Sequence, residues 1–413
     1  MSAGKVIGVV LLSGAAFAGG FSAQDLLRGS APSGDAFSSL VSGGRTAKPT
    51  PTEVFKKHHA FILANYDRKI APDELKYAGL EGLFSSLGDP HTTYMPPKLA
   101  EAFALETRGD FGGIGARLND DPLGAKIAVV FDDSPASRAG LKPSDTITHV
   151  DGKEVNGMPV EEIVKLIRGK QGTQVQLIVR RQNEAAPFPV RVTRDIVVLP
   201  TVESRMINSN IALIAVSQFS ETTTAQFARA MKDALAENPR GIIIDMRSNP
   251  GGLLETAADM ISLFAGGKTV VIQKGRDETV ETKSPQGNEL KISVPVAILI
   301  NEESASAAEI FSGVLRDYKK ATLIGDHSYG KASVQTVQPL TDGSSMKITV
   351  AKYLLPSGED ISRRVDEEGQ YLGGGLKPNI LVPLQITQGT VLGEPGKDNQ
   401  LDRAIDWVMN QRG

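Results

Sequence analysis

Apolar and polar positions alternate along this chain in several distinct rhythms. Behind Lys5, residues 6–24 carry no charge, and residues 6–17 form an apolar stretch of secretory length that runs into the small-x-small pattern Ala16-Phe17-Ala18. This predicts an exported chain in the periplasm or cell envelope. Residues 1–27 then act either as a signal peptide or, uncleaved, as an inner-membrane anchor over residues 6–24. Residues 28–51 are rich in Ser, Gly, Ala and Pro and hold too few large apolar residues to bury a core, which predicts a flexible linker. Helical spacing begins at residue 52. Val54, Phe55, Phe61 and Ile62 precede Leu75, Leu80, Leu83 and Phe84, and the turn Gly88-Asp89-Pro90 interrupts them, so residues 52–110 are expected to be a helical N-terminal region.

The rhythm then changes to short alternating runs. Phe111-Gly112-Gly113-Ile114-Gly115 leads into an alternating strand at 127–131, the turn Ser134-Pro135-Ala136, the segment Ala139-Gly140-Leu141, a strand and tight turn over 145–152 and a helix over 160–168. From about residue 184 strands and helices alternate. Apolar runs at 211–216, 241–245, 270–273, 295–300, 322–324, 333–340 and 346–355 surround helical patterns at 223–237, 255–264 and 305–318. This predicts one α/β core over 184–385, with 386–413 as a C-terminal segment.

Composition narrows the chemistry. The 413 residues include 45 Lys plus Arg against 48 Asp plus Glu, a net charge of −3, without a long basic run, which excludes a nucleic-acid partner. There is no cysteine, so a thiol nucleophile, a thiolate-bound metal and a disulfide are all excluded. None of the five histidines lies in a recognisable Ser/His/Asp motif. Acyl transfer in this chain needs a different base, and no metal or other cofactor is expected.

Two segments offer a nucleophile and such a base. Ser304-Ala305-Ser306-Ala307-Ala308-Glu309-Ile310 joins a buried strand to an amphipathic helix, so Ser306 stands at a helix entrance where free N–H groups and the helix dipole favour an oxyanion. Taken alone, Ser306-x-x-Glu309 is equally a capping box. In Tyr329-Gly330-Lys331-Ala332-Ser333-Val334-Gln335, Lys331 lies in a turn that can aim its stem inward, and burial would lower its pKa toward that of a working base. An exposed turn lysine is the alternative. Gln335, or Ser333, can orient the lysine head. A further loop, Arg247-Ser248-Asn249-Pro250-Gly251-Gly252-Leu253, follows an apolar strand. Gly251 or Gly252 paired with the Ala307 amide would form an oxyanion hole; a plain helix-entrance turn is the other reading.

Residues 112–182 resemble a PDZ domain. The resemblance implies that residues 111–183 form a module whose loop Gly113-Ile114-Gly115 presents amides to a peptide's terminal carboxylate, with strand addition beside it. Arg168 would then be either a ligand sensor or a helix-end charge. With this module in front, the segments Asn301-Glu302-x-Ser304-Ala305-Ser306-Ala307-x-Glu309-Ile310, Gly330-Lys331-x-x-Val334-Gln335 and Arg247-x-Asn249-Pro250-Gly251-Gly252 resemble the carboxy-terminal processing, or tail-specific, proteases. Gly88-Asp89-Pro90-His91-Thr92-Thr93-Tyr94, Leu355-Pro356-Ser357-Gly358 and Leu376-Lys377-Pro378-Asn379 extend the likeness over residues 52–384. It implies a crotonase/Clp-protease-like α/β core with an inserted PDZ domain, Ser306 as nucleophile, Lys331 as general base and Gln335 as its support. The activity implied is ATP-independent endopeptidase cleavage of envelope proteins captured by their C-termini, with room for an adaptor protein and a homo-oligomer. Ala308, His91, His327 and the charged stretch 362–375 depart from the usual pattern without removing a catalytic group. The competing expectation is a peptide-binding scaffold of the envelope that does not cut.

Overall fold

The computed structural model describes residues 48–208 and 210–411. The expected signal or anchor and nearly all of the expected linker lie outside these residues. Among the described residues no helix is long and apolar enough to cross a membrane. The chain divides into two units, one ending at Lys76 and one starting at Tyr77. In the first, the helix Pro51–Asn65 starts at a capping box: Thr50 N–H donates to Glu53 Oε2 at 2.7 Å, and Glu53 N–H donates to Thr50 Oγ1 at 3.3 Å. The helix Pro72–Ser85 spans the boundary.

The second unit is built on a six-stranded sheet. Its strands β1 (Val202–Ile207), β2 (Ile211–Val216), β3 (Gly241–Asp245), β4 (Val296–Ile300), β5 (Thr322–Gly325) and β6 (Ile380–Leu381) lie side by side in that order. β1 is antiparallel to β2, and every later pairing is parallel, with Ile211 opposite Gly241, Ile242 opposite Val296 and Ala297 opposite Thr322. β3 and β4 are nearly continuous apolar runs because helices cover both faces. On one face Ile214, Ile242, Ile244 and Ile298 pack against α1 (Thr223–Ala236), α2 (Leu254–Ser262) and α3 (Ala307–Asp317). Phe311 of α3 lies at the centre of this layer, with ring centroids 5.8 Å from Phe227, 5.9 Å from Phe264 and 6.2 Å from Phe219. On the other face Leu213, Ile243 and Leu299 meet Leu401, Ala404 and Val408 of α4 (Asn399–Asn410). Burying each such aliphatic or aromatic side chain contributes about 1.5–3 kcal/mol, so the two layers hold the sheet's strand ends in fixed positions.

A five-stranded antiparallel sheet flanks this core. Its central strand Ser345–Leu354 pairs with Thr93–Met95, Ser333–Pro339 and Thr269–Gly275, and Thr279–Lys283 lies beyond the last of these. The module between residues 114 and 194 has its own core. The helix Val160–Ile167 turns Ile163 and Ile167 onto Ile127, Ile147, Leu177 and Val179 while Glu161, Glu162 and Lys165 face outward. Arg194 closes that helix by donating from Nε to Ile167 O at 2.7 Å. The chain enters and leaves the module through one two-stranded stem, Asp110–Gly113 paired antiparallel with Asp195–Val198. The expected architecture, an α/β core with an inserted PDZ domain, is the one observed.

Candidate active site

Four parallel strands deliver their carboxyl ends to one edge. β2 runs into Ser217-Gln218-Phe219, β3 into residues 246–253, β4 into 301–306 and β5 into 326–331. That edge is where α/β sheets offer unpaired backbone groups to a ligand.

Ser306 stands between β4 and α3 with φ +55° and ψ −118°, a region that side-chain-bearing residues rarely occupy. Its N–H donates to Glu309 Oε2 at 2.8 Å, so the first turn of α3 folds back onto the residue that begins it. The glycine loop is pressed against this turn. A Cβ on Gly251 would lie 2.7 Å from Ser306 Cβ and 2.8 Å from Ala307 N, and one on Gly252 would lie 2.0 Å from Phe219 O. Only glycine fits either position, and their φ values of +96° and +144° make the same demand. Asn249 holds the loop open, accepting from Gly251 N–H at 2.9 Å while its own carbonyl accepts from Ala305 N–H at 2.9 Å. The Gly251 amide is therefore occupied. Gly252 and Ala307 N–H have no hydrogen-bond partner among the described residues, which narrows the expected donor pair to these two.

Lys331 follows β5 and precedes the strand Ser333–Pro339. Its backbone is fixed on both sides, its N–H donating to Glu309 Oε2 at 2.9 Å and its carbonyl accepting from the buried Tyr353 hydroxyl at 2.8 Å. Burial pulls the Lys331 pKa down from the ordinary lysine value, and the charge of Lys347 adds to this, while Glu309 and Asp89 oppose it. Ser306, Ala307, Gly251, Gly252, Lys331 and Gln335 all line one cleft of about 650 Å³. No hydrogen bond joins Ser306 Oγ to Lys331 Nζ among the described residues. Gln335 Nε2 donates to Ser333 Oγ at 2.8 Å and to Thr349 Oγ1 at 3.2 Å, so its head is held over its own strand, which follows Lys331, and the neighbouring Ser345–Leu354.

The expected peptide-binding residues meet elsewhere. Gly113, Ile114, Gly115 and Arg168 line a cavity of about 280 Å³ between the inserted module and the core. The Arg168 guanidinium lies 4.4 Å from the Phe111 ring centroid, and Val164 and Ile167 supply apolar wall. Gln218, at the end of β2, borders both this cavity and the cleft. For a cation, Glu302, Asp326 and His327 bring donor atoms within 4.8 Å of one another, but they stand outside the cleft, and His327 Nδ1 lies 3.0 Å from Asp326 Oδ1.

Two contacts at the site were not foreseen in the sequence, those of Glu309 and of His91. Glu309 is fully buried, and its carboxylate accepts four hydrogen bonds, from Ser306 N–H, Ser328 Oγ at 2.5 Å, Gly330 N–H at 2.6 Å and Lys331 N–H. Burial pushes its pKa up, and the four donors oppose that. The Ser306-x-x-Glu309 pattern signalled a cap; that the same carboxylate also grips a loop 19 to 22 residues later has no local signal. His91, from the turn before Thr93–Met95, adjoins Lys331, and burial followed by the Lys331 charge lowers its pKa.

The chain as a whole is similar to known proteins. Residues 210–382 match the profile of peptidase family S41, and residues 126–181 that of the PDZ domain. The chain is 35% identical over 349 residues to the carboxy-terminal processing protease CtpA of Bacillus subtilis, covering 84% of this chain and 72% of that protein. It is 37% identical over 335 residues to a "Probable CtpA-like serine protease" of Staphylococcus haemolyticus, covering 80% of this chain and 65% of that one. Against the first of these the chain spans more than two thirds of the relative's length, and against the second slightly less. The photosystem II D1 C-terminal processing protease aligns with 80% of this chain and 86% of its own at 23% identity and a TM-score of 0.45.

Proposed function

The chain belongs to peptidase family S41, with carboxy-terminal processing proteases among its relatives, and on that premise we propose that it is an ATP-independent serine endopeptidase working through Ser306 and Lys331. The observation that carries the reading is the turn at Ser306, strained to φ +55° beside the Gly252 and Ala307 amides, which have no partner among the described residues, in the same cleft as a half-buried lysine. Neutral Lys331 Nζ takes the proton from Ser306 Oγ as the oxygen attacks the scissile carbonyl. The oxygen of the tetrahedral intermediate accepts from Gly252 and Ala307 N–H, donors worth about 3–4 kcal/mol each in comparable sites. The Lys331 ammonium then passes its proton to the departing amine. Water, deprotonated by Lys331, releases the acyl group and restores Ser306. Gln335, held by Ser333 and Thr349 on the wall of the same cleft, is the side chain assigned to orient the lysine head in this proposal, with no hydrogen bond joining the two among the described residues.

The substrate in this proposal is an exported protein presenting a loosely ordered C-terminus. The amides of Gly113 to Gly115 receive its carboxylate, and the cavity's apolar wall at Val164 and Ile167 receives its last side chain. Nucleotide chemistry has no support here. Gly325 to Lys331 has the glycine and lysine spacing of a phosphate-binding loop, but Ala332 follows in place of a hydroxyl residue and the chain enters a strand rather than a helix. Ser306→Ala and Lys331→Ala are each expected to abolish cleavage of an unfolded protein such as casein while the fold, followed by circular dichroism, persists. Continued cleavage by both variants would reject the dyad, and peptide binding without cleavage by the unaltered chain would leave a scaffold instead.

A further inference from the structure

Next to the glycine loop lies a buried guanidinium that joins a neighbouring aspartate to partners from the far end of the chain. Arg247, two residues after β3, has five N–H groups, and all five are used. Nε and Nη2 donate to Asp245 at 2.9 and 2.6 Å, Nη1 and Nη2 to Asp398 at 3.0 and 2.7 Å, and Nη1 also to Gln400 Oε1 at 3.1 Å. Asp398 is the N-cap of α4 and accepts from Gln400, Leu401 and Gly393 N–H as well. Asp398 and Gln400 are both fully enclosed.

Buried ion pairs of this kind contribute little net stability, because desolvation offsets their attraction. They do impose geometry. The loop above Arg247 holds Ser248 at φ +56°, Gly251 at +96° and Gly252 at +144°, conformations that persist only where the surroundings over-determine them. From the Ser306 side the loop is fixed by Ala305 N–H donating to Asn249 O at 2.9 Å and by Ser304 Oγ donating to Met246 O at 2.8 Å. From the opposite side Arg247 anchors it to the Asp398 cap.

We propose that Asp398 is a positioning residue for the reaction: through its bidentate pair with Arg247, the C-terminal helix sets the place of the Gly252 amide relative to Ser306. This rests on the protease reading above and extends the working site beyond the part that matches the family profile, to Asp398 and Gln400. A displacement of about 1 Å in such a donor lowers turnover on the order of a hundredfold without weakening substrate binding.

The test is steady-state kinetics on a short chromogenic peptide, with the full chain and well below its melting temperature. Asparagine caps a helix as well as aspartate does, so Asp398→Asn keeps α4 started while removing the charge from Arg247. It is expected to lower kcat roughly tenfold to a hundredfold with KM within about twofold. Gln400→Met, which removes an acceptor from Arg247 and a donor from Val382 O, should lower kcat by a smaller factor and decides the matter if Asp398→Asn does not fold. Leu401→Ala loosens the same helix without touching Arg247, so it should lower the melting temperature and leave kcat within about twofold. Unchanged kcat in folded Asp398→Asn and Gln400→Met overturns the proposal, as does an equal loss in Leu401→Ala at a matched fall in melting temperature. Ser306→Ala in the same assay reports on the protease reading itself: cleavage at the unaltered rate removes that reading whatever the other variants do.

Discussion

Ser306 bears a conformational cost that alanine would share and glycine would not. Positive φ at a side-chain-bearing residue costs on the order of 1–3 kcal/mol, and the extra chain freedom of glycine returns about 0.5–1 kcal/mol of that. Ser306→Gly is therefore expected to be about 1 kcal/mol more stable than Ser306→Ala in urea, with both inactive; equal midpoints would show an unstrained turn. Lys331 carries a cost of a different kind. Its folded pKa lies below the unfolded one, so the penalty for burying the ammonium is complete below the folded pKa and disappears as pH rises past the ordinary lysine value of about 10.4. Lys331→Met should accordingly melt higher than the unaltered chain at pH 7, with the gap closing toward pH 10–11 as that penalty fades. A constant gap would place the lysine's charge in solvent. The groups facing Lys331 are Lys347 from the central flanking strand, Asp89 and His91 from the turn before Thr93, and Glu309 from α3. Of these, Lys347 favours the neutral amine. Lys347→Gln should shift the rising limb of the pH–rate profile to higher pH and Lys347→Arg should not; a limb that moves equally in both, or in neither, would assign the tuning to burial alone.

At the level of elements, Glu309 joins the start of α3 to the loop leaving β5, fixing Ser306 and Lys331 relative to one another through backbone groups. In Glu309→Gln an amide NH₂ must face two of the four donors that the carboxylate satisfies. The expected cost is roughly 2 kcal/mol or more in unfolding free energy, with a fall in kcat that exceeds any change in KM. A variant of unaltered stability and turnover would make the carboxylate a plain helix cap. This junction also marks how far the sequence could be read. β3 and β4 announce themselves as unbroken apolar runs, α3 as an apolar stripe at helical spacing, and the glycine loop by its turn residues, because each signal arises within about ten residues. The stem pairing Asp110–Gly113 with Asp195–Val198, the reach of Glu309 to Gly330, and the approach of His91 to Lys331 all depend on tertiary packing, and nothing in local periodicity encodes such distances. The orientation of Gly251 N–H toward Asn249 was unreadable for the same reason: the residue types permit either glycine as a donor, and only the packed turn selects between them.

For the whole molecule, the arrangement couples two hollows that share Gln218 as a border, one lined by the inserted module and one holding Ser306 and Lys331. Under the proposed function a terminal carboxylate is part of the substrate's recognition, and losing one charge-assisted hydrogen bond costs about 1.5–3 kcal/mol. Amidating the C-terminus of a peptide substrate long enough to reach both hollows should raise KM roughly tenfold or more at nearly constant kcat. A peptide too short to span them should show no such effect, and equal sensitivity in both lengths would disconnect the module from capture. The sheet that carries the cleft has a second edge, formed by the amino ends of β3, β4 and β5, where the turns at 237–240, 293–295 and 318–321 gather away from the reacting groups. Lys319 and Lys320 are exposed there, so a cysteine in place of either, in a chain that has no other, gives a single thiol for attachment to a bead or sensor surface in an orientation that leaves the cleft facing the solution.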